Sequence, residues 1–453
     1  MMSSLHNIKK TCASTTNLIK NILNIKDKHI TFPDYAYAFS NEKIHGVLSK
    51  VFSGLLSYPE NPHCCSSCGK SGTVIKHTPK ASLIQMIPYQ NVPTYLRLYK
   101  QRYRCKACGQ TFSATTNIVD ERCYLSNTLK FAILHDLKQK CAMTDIAQRY
   151  FVSPKSVERI LKSYSYELNP YHMQLPECLL IDEFKGPSDC NGKMCFILSD
   201  GQSGKIIDIL DDRRNFVIKD FFLRFSLESR NRVKYVVMDM NAAYPYVIKE
   251  VLPNASIVID RFHIIQQLTR ALNKKRIQVM KALRYKNQRA YNKFKRYWKL
   301  LLMPEDHLNF EKYVQYPLFD RRYVTQTEVV DTLLSFDDAF RQCYQIYQEL
   351  LACFHQKQLD EFFHILHTLP EDLDIAFKKS LKYLIKHTHA IKNALQSPYS
   401  NGKLEGKNNL IKVFQRVAFG FRNFSNMRRR IFLYEENWHT KQPTKRNCGE
   451  KSA

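Results

Sequence analysis

Two things that the sequence lacks narrow its class before any motif is considered. Glycine is scarce, at 13 of 453 residues, which disfavours collagen-like and glycine-rich loop architectures. No apolar run approaches the roughly 18 to 20 residues that span a bilayer. The N-terminal residues MMSSLHNIKK contain no apolar stretch followed by a cleavage site. The sequence therefore predicts neither a membrane-spanning nor an exported protein.

Acidic residues are also in short supply, with 41 Asp and Glu against 69 Lys and Arg, which gives a net charge of +28. Such an excess favours a polyanionic partner, and in the absence of membrane signals the expected partner is nucleic acid. The 44% hydrophobic content and the length suit a folded protein of about three domains. The 14 cysteines are scattered irregularly. They predict a reduced, cytoplasmic protein with one metal site and no disulfide framework.

Composition and periodicity divide the chain into seven segments. They are an N-terminal helix and extended segment (1–60), a metal-binding module (61–124), three short helices (125–170), alternating strands and helices (176–265), a polar helical insertion (266–398), a returning helix (399–436) and a basic, disordered tail (437–453).

Two CxxC pairs, each followed by glycine, form the first chemical motif. Cys65 and Cys68 make one pair, and Cys105 and Cys108 make the other. Tetrahedral zinc binds four such thiolates in structural sites. The 36 residues between the pairs exceed the usual zinc-ribbon spacing, and the strand-like sequences between them predict a long hairpin. His63 and Cys64 remain alternative ligands.

The sequence TDIAQRYFVSPKSVERILKSY predicts a helix-turn-helix. Ser153 would cap the second helix and Pro154 would occupy its first position, where both residue types are favoured. Val157, Ile160 and Leu161 recur at helical spacing on one face. The opposite face would meet the major groove of DNA and carries Lys155, Ser156, Arg159 and Lys162. An ordinary helical hairpin without DNA contact is the alternative.

Several carboxylates lie at or in apolar strands. Asp182 lies in the strand ECLLIDEFKG, and Asp239 and Asp260 end the next two predicted parallel strands. Glu405 lies downstream on a helix with one apolar face. Ionisable groups in such positions are costly unless they bind a ligand, and ligands gather at strand carboxyl ends in open α/β sheets. A pair of Mg²⁺ ions for phosphoryl transfer would suit them, although ordinary capping carboxylates remain the alternative.

The order of these motifs resembles one protein family. The chain presents CxxC…YRCxxCG, the helix-turn-helix, LLIDEF, VVMDMNAAY, VIDRFH and NGKLEGKNNLIK. This succession resembles the ISL-three family of bacterial insertion-sequence transposases over about residues 16–435. The resemblance implies an α/β RNase H-like catalytic core with a large helical insertion, behind an N-terminal zinc-ribbon-like module and a helix-turn-helix.

Matching the motifs residue by residue implies a catalytic, Mg²⁺-binding DDE triad of Asp182, Asp239 and Glu405. Asp260 and His263 resemble the D-x2-H signature of several DDE families, and we expect them to play an accessory part beside the active site. Glu183 is the alternative to Asp182 as the first carboxylate of the triad, but alternation along a strand places the two side chains on opposite faces of the sheet.

The helical insertion has an unusual charge pattern. From Arg270 to Lys299 there are twelve Lys and Arg and no acidic residue, interleaved with five aromatic residues. We expect most of the aromatic side chains to pack and the cations to contact DNA backbone without sequence preference. The predicted DNA-contacting residues here and on the returning helix are Lys274, Lys275, Arg276, Lys412 and Arg416.

The predicted function is therefore that of a DNA transposase in the bacterial cytoplasm, associated with the nucleoid. It would bind the terminal inverted repeats of an insertion sequence and catalyse phosphodiester hydrolysis and strand transfer. Two Mg²⁺ ions, for which Mn²⁺ could substitute, and one structural Zn²⁺ are the expected cofactors. The expected partners are double-stranded DNA and further copies of the chain, in a homodimer or a larger synaptic complex. A non-catalytic DNA-binding regulator and a structure-specific nuclease are the alternatives.

Overall fold

The computed structural model describes residues 11–163, 173–240, 244–418 and 421–435. These residues fall into two compact units. The first unit contains 11–163 with the segment from 411 to 435, and the second contains the described residues between 173 and 410. The predicted tail at 437–453 and the end of the predicted segment 125–170 lie outside the described residues.

The first unit begins with a helix and a six-stranded sheet. Its elements are α1 (Ala13–Leu23), β1 (Ile30–Thr31), α2 (Tyr35–Ala38), β2 (Phe39–Ile44), β3 (Val47–Leu56), β4 (Val74–Gln85), β5 (Thr94–Cys105) and β6 (Thr111–Ser113). The strand order is β1-β3-β5-β4, with β2 on β3 and β6 on β5. β4 and β5 are antiparallel neighbours, so the hairpin predicted between the two CxxC pairs is present.

Three helices follow in the first unit: α3 (Asn127–Leu137), α4 (Met143–Arg149) and α5 (Pro154–Ser163). Ser153 lies just before α5, and its hydroxyl oxygen accepts a hydrogen bond from the Ser156 amide at 3.1 Å. The three residues predicted to face inward are buried, at 0%, 5% and 0% exposure for Val157, Ile160 and Leu161. The short-helix prediction for this region is therefore correct over the part that the structure describes.

The second unit contains a five-stranded sheet. Its elements are β7 (Cys178–Lys185), β8 (Met194–Asp200), β9 (Ile206–Leu210), α6 (Asn215–Leu223), α7 (Leu227–Asn231), β10 (Tyr235–Met238), α8 (Tyr244–Val251) and β11 (Ser256–Ile259). The strand order is β11-β10-β7-β8-β9. β7, β8 and β9 form an antiparallel meander, whereas β10 runs parallel to both β7 and β11. The apolar runs of β7 and β10 are buried between helices, as expected for parallel strands.

The insertion after the sheet is almost wholly helical. It comprises α9 (Arg261–Leu283), α10 (Gln288–Tyr297), a two-stranded hairpin of β12 (Val314–Gln315) and β13 (Tyr323–Val324), then α11 (Gln326–Leu334), α12 (Asp338–His355), α13 (Leu359–His367), α14 (Ile375–Ile385) and α15 (Thr388–Gln396). None of the described helices is long and apolar enough to cross a membrane.

The last two described helices are α16 (Gly402–Val417) and α17 (Phe424–Tyr434). The sequence suggested one segment, 399–436, belonging to the α/β core. Instead, residues from 411 onward group with the first unit, where Leu433 is buried in the core formed by α3, α4 and α5. Sequence periodicity identifies the helices but does not indicate which core receives their apolar faces.

Candidate functional sites

The four predicted zinc ligands lie together in the first unit. The Sγ atoms of Cys65 and Cys108 are 3.7 Å apart, and those of Cys68 and Cys105 are 3.8 Å apart. All four sulfur atoms lie within 4.8 Å of one another. A tetrahedron with Zn–S bonds of about 2.3 Å has edges of about 3.8 Å, so the thiolate set fits zinc.

Each CxxC pair forms the same turn. The Gly69 amide donates to the Cys65 carbonyl at 2.9 Å, and the Gly109 amide donates to the Cys105 carbonyl at 3.0 Å. Both glycines have φ values near +75°, at 75° and 73°, a conformation that residues with a Cβ rarely adopt. The glycine after each pair therefore serves to close the turn.

Hydrogen bonds prepare these sulfurs for a cation. The Thr73 hydroxyl, followed by the amides of Cys108 and Ala107, lowers the pKa of Cys105 to about 6. The amides of Cys68 and Ser67 likewise lower the pKa of Cys65. The Gln110 amide has the same effect on Cys108, but burial and the neighbouring sulfurs outweigh it and raise the pKa of Cys108 to about 12, because four thiolates repel one another without a cation.

The alternative ligands do not join this cluster. The four clustered sulfurs belong to Cys65, Cys68, Cys105 and Cys108, and Cys64 is not in this group. His63 uses its backbone carbonyl to accept a hydrogen bond from the Gly72 amide at 2.9 Å. The CxxC spacing therefore identified the ligand set that the structure brings together.

The predicted recognition helix α5 exposes three of its four candidate residues, Lys155, Arg159 and Lys162, whereas Ser156 is half-buried. Lys155 and Lys162 each donate to Glu158 at 2.7 Å. These pairs hold both lysines along the exposed face of the helix. Glu158, which lies between the two lysines and pairs with both, is not among the residues that the sequence predicts for this surface.

Three aspartates of the second unit lie side by side on neighbouring parallel strands. The paired residues of β7 and β10 end at Leu180 and Val237, and Asp182 and Asp239 each follow two residues later. In the register of β10 and β11, Met238 is opposite Ile259, so Asp239 is opposite Asp260. Asp182 thus lies within β7, and Asp239 and Asp260 come directly after β10 and β11, which are neighbours in the same sheet.

Helix α16 contacts this row of aspartates. The Asn408 side-chain amide donates to Asp182 Oδ2 at 2.6 Å. The backbone amide of Asn401 donates to Asp260 Oδ1 at 3.2 Å, and Glu405 lies between the two asparagines on the same helical face. Lys403 holds the start of the helix by donating to the Gly201 carbonyl at 3.3 Å.

Sequence analysis did not select Asn401 or Asn408. The helical spacing of positions 401, 405 and 408 places both asparagines on the same face as Glu405. Several other polar residues nearby satisfy the same spacing, so the spacing alone does not select these two. Burial distinguishes them: Asn401 is 1% exposed and Asn408 5%.

Asp182 is surrounded by groups that affect its ionisation. Burial raises its pKa above the ordinary value, and the charge of Asp239 raises it further. The Glu183 amide, which donates to Asp182 Oδ1 at 2.7 Å, partly offsets this rise, as do His263 and Asn408. A carboxylate with a raised pKa beside a second carboxylate is the electrostatic arrangement that a bound cation relieves.

Glu183, the rival to Asp182, has partners of its own. Its carboxylate pairs with Arg213 and accepts a hydrogen bond from the Tyr244 hydroxyl. Asp182 accepts from the Asn408 side chain and from the Glu183 backbone amide.

A further group joins the end of β11 to α9 and α16. Single ligand atoms of Asp260, His263 and Glu405 lie within 4.8 Å of one another. Asp182 and Asp239 are not part of this group, although His263 is near enough to Asp182 to affect its pKa. The predicted accessory residues Asp260 and His263 therefore lie with the predicted catalytic Glu405.

Two of the cations in the helical insertion, Lys275 and Arg276, contact neighbouring helices. Lys275 donates to Asp374 Oδ2 at 2.8 Å in an ion pair that is mostly shielded from solvent, and Arg276 is 7% exposed and donates to the Phe294 carbonyl at 3.0 Å. Both side chains therefore contact neighbouring helices, and their contact with DNA stays a prediction. Lys274 is exposed, as are Lys412 and Arg416 of α16.

The aromatic residues of the insertion mostly pack, as expected. Phe294 and Tyr297 are buried, at 0% and 8% exposure. Tyr285, in the turn between α9 and α10, is 90% exposed and has exposed neighbours in Arg284 and Lys286.

Three family models match the chain. A model described as "Transposase", that of the ISL-three DDE transposases, matches residues 179–431. A model described as "zinc-finger of transposase IS204/IS1001/IS1096/IS1165" matches residues 61–108. One described as "Mga helix-turn-helix domain" matches residues 116–181. The matched ranges contain the carboxylate row, the four cysteines and α4 with α5, respectively.

Two curated proteins are similar to the chain. It is 26% identical over 256 residues to "Transposase for insertion sequence element IS1001" of Bordetella parapertussis, over 54% of this chain and 58% of that protein. It is 40% identical over 118 residues to a protein of Lactococcus lactis subsp. lactis described as "ATP-dependent protease", over 25% of this chain and 37% of that protein. The chain thus spans less than two thirds of the length of either relative. Because the transposase model covers more than half of its residues, the chain belongs to the ISL-three family of transposases.

Proposed function

We propose that this protein is a DNA transposase whose reaction centre is formed by Asp182, Asp239 and Glu405. The observation that supports the proposal is the nearness of Asp239 to Asp182, whose pKa it raises, on parallel neighbouring strands that the helix of Glu405 contacts through Asn408. Family membership supports the same assignment. The topology of the second unit, a three-stranded meander followed by two parallel strands, supports an RNase H-like interpretation of the fold.

The donor set is suited to divalent cations. Asp182 has a raised pKa beside Asp239, and Asn408 Oδ1 is a buried oxygen with no hydrogen-bond partner among the described residues. Oxygen ligands of this kind favour Mg²⁺. Asp182, Asp239 and Glu405 would hold the metal. When bound, such ions lower the barrier to in-line phosphoryl transfer by polarising the phosphate and favouring ionised oxygen nucleophiles.

The chain's own residues would position these carboxylates. Asn408 fixes one oxygen of Asp182 by donating to it. Asn401 does the same for Asp260, and Lys403 anchors the start of α16. A row held in place before DNA arrives would first direct water to the phosphodiester at the element end. The freed 3′-hydroxyl would then attack target DNA at the same centre.

Recognition of the element ends would belong to the first unit. The exposed Lys155, Arg159 and Lys162 on α5 could meet the major groove and its phosphates. The zinc-ribbon module next to them would present a second basic surface. Exposed cations outside this module, such as Lys274, Lys412 and Arg416, would add salt-sensitive, sequence-independent affinity. Joining two ends in concert would require a dimer or a larger complex.

The test is mobilisation in cells of a marked gene flanked by the element's own ends. Asp182→Asn and Glu405→Gln should each reduce movement at least a thousandfold while leaving end binding unchanged, because each removes a charged metal ligand. Glu177→Gln is the matched control, since Glu177 lies just before β7 and pairs on the surface with Lys234 at 3.0 Å. It should leave movement unchanged.

Each alternative function has its own outcome. Equal movement in the wild type and the two variants would overturn the triad. Specific end binding without any movement or metal-dependent cleavage would favour the non-catalytic regulator. Cleavage of branched DNA without strand joining would favour the structure-specific nuclease.

A further inference from the structure

The group of Asp260, His263 and Glu405 has the chemistry of a cation site of its own. Its ligand atoms lie within 4.8 Å of one another, yet among the described residues no hydrogen bond or ion pair joins the three side chains. Two ligands on opposite sides of an ion, with bonds of about 2.1 Å, are about 4.2 Å apart. The spacing is therefore that of groups facing a common ion.

Asp260 provides an independent observation. It is 3% exposed, and no donor among the residues that the structure describes reaches its buried Oδ2 atom. A buried, half-satisfied carboxylate is destabilising unless a ligand compensates it. Asp260 occupies the position before α9 where an aspartate usually accepts a hydrogen bond from a helical amide, but its side chain makes no such bond. Its Oδ1 is held by the Asn401 amide instead.

His263 determines the type of ion. It lies one turn into α9, three residues after Asp260, and so on the same side of the helix start. Mg²⁺ prefers an all-oxygen shell, whereas imidazole favours first-row transition ions. We propose that Asp260, His263 and Glu405 form a site for a divalent first-row transition ion such as Mn²⁺, beside the Asp182–Asp239 pair. This inference rests on the proposed function in that Glu405 would serve both the triad and this site.

Mn²⁺ alone, added to the full-length, zinc-loaded protein without DNA, tests the site. Electron spin-echo spectroscopy of bound Mn²⁺ should show coupling to an imidazole nitrogen. His263→Asn should abolish that coupling and weaken Mn²⁺ binding about tenfold, with a smaller effect on Mg²⁺. His364→Asn is the matched control, because His364 is an exposed helical histidine outside the group, and it should retain both properties.

The outcomes separate this site from the proposed function. Mn²⁺ bound without nitrogen coupling, coupling that persists in His263→Asn, or no Mn²⁺ binding would each overturn the site. Mobilisation that still depends on Asp182 would leave the transposase proposal intact in each of these cases. Nitrogen coupling lost in His263→Asn, in a protein that mobilises nothing, would instead support the site and count against the function.

Discussion

The cysteine cluster and the carboxylate row are assembled in opposite ways. Each CxxC turn is closed by its own backbone, with the amides of Gly69 and Gly109 returning to the first cysteine of each pair. The carboxylates instead come from β7, β10, β11 and α16, which are distant in the sequence, and only strand register and helix packing bring them together.

The two clusters also differ in how they balance charge without a metal. Hydrogen bonds to Cys105 and Cys65 favour their thiolate forms, and only at Cys108 do burial and the neighbouring sulfurs raise the pKa among these three. At Asp182, burial and Asp239 outweigh the available hydrogen bonds and disfavour the charged form. The first cluster is therefore a structural site, in which metal and fold support each other. In the carboxylate row, the charged form of Asp182 is disfavoured without a ligand.

The largest expected effect is at the cysteine cluster. Cys105→Ser combined with Cys108→Ser should remove zinc and unfold the zinc module, because structural zinc contributes on the order of 10 kcal/mol to such folds. Zinc content by mass spectrometry and limited proteolysis would measure it. Cys123→Ser is the control, since Cys123 is exposed and outside the cluster. Retention of zinc by the double variant would contradict the assignment.

Arg430 is an exception to the local assembly of the first unit, because it stabilises the unit through contacts with residues distant in the sequence. Arg430 is 1% exposed and donates to the carbonyls of Leu137, the last residue of α3, and Gln139 at 3.2 and 3.0 Å. Arg430→Met would remove both hydrogen bonds, although the Gln139 carbonyl also accepts from the Cys141 amide at 3.0 Å, and should destabilise the protein by about 3 kcal/mol. Urea unfolding would measure this loss, and the half-buried neighbour Arg429, changed to Met, should lose less than about 1 kcal/mol.

At the carboxylate row, unlike at the cysteine cluster, removing a predicted metal ligand should stabilise the metal-free protein. Burial and Asp239 raise the pKa of Asp182, so its charged form destabilises the metal-free fold at neutral pH. Asp182→Asn should therefore raise Tm by about 2 °C without divalent metal, and the gain should shrink when Mg²⁺ is added. A lower Tm in the metal-free variant would show that the bond from Asn408 outweighs the repulsion.

The same contrast explains how much the sequence could predict. The zinc ligands and the buried face of α5 follow from spacing within a short segment, and the structure places them as expected. Asn408 and Arg430 could not be selected, because their roles depend on which distant strand or carbonyl each one meets. The burial of Lys275 and Arg276 could not be predicted, for a related reason. A run of cations predicts a charged surface, but helix packing turns two of its members toward Asp374 and the Phe294 carbonyl.

The smallest expected effect concerns Glu158. Hydrogen bonds from Lys155, Lys162 and Asn426 lower its pKa from 4.5 to about 2. A lowered carboxyl pKa stabilises the fold above the ordinary value, and this contribution is lost as the pH falls from about 4.5 toward 2. Because the pairs are partly exposed, Glu158→Gln should cost only about 0.5 kcal/mol at pH 6.

The difference between wild type and Glu158→Gln should disappear near pH 2, and high salt should reduce it at pH 6, since screening weakens exposed ion pairs. Urea unfolding across this pH range would measure both trends. Glu121→Gln is a suitable control, because Glu121 is exposed and should show no comparable change. A difference that stayed constant from pH 6 to pH 2 would mean that Glu158 stabilises α5 through packing and not through charge.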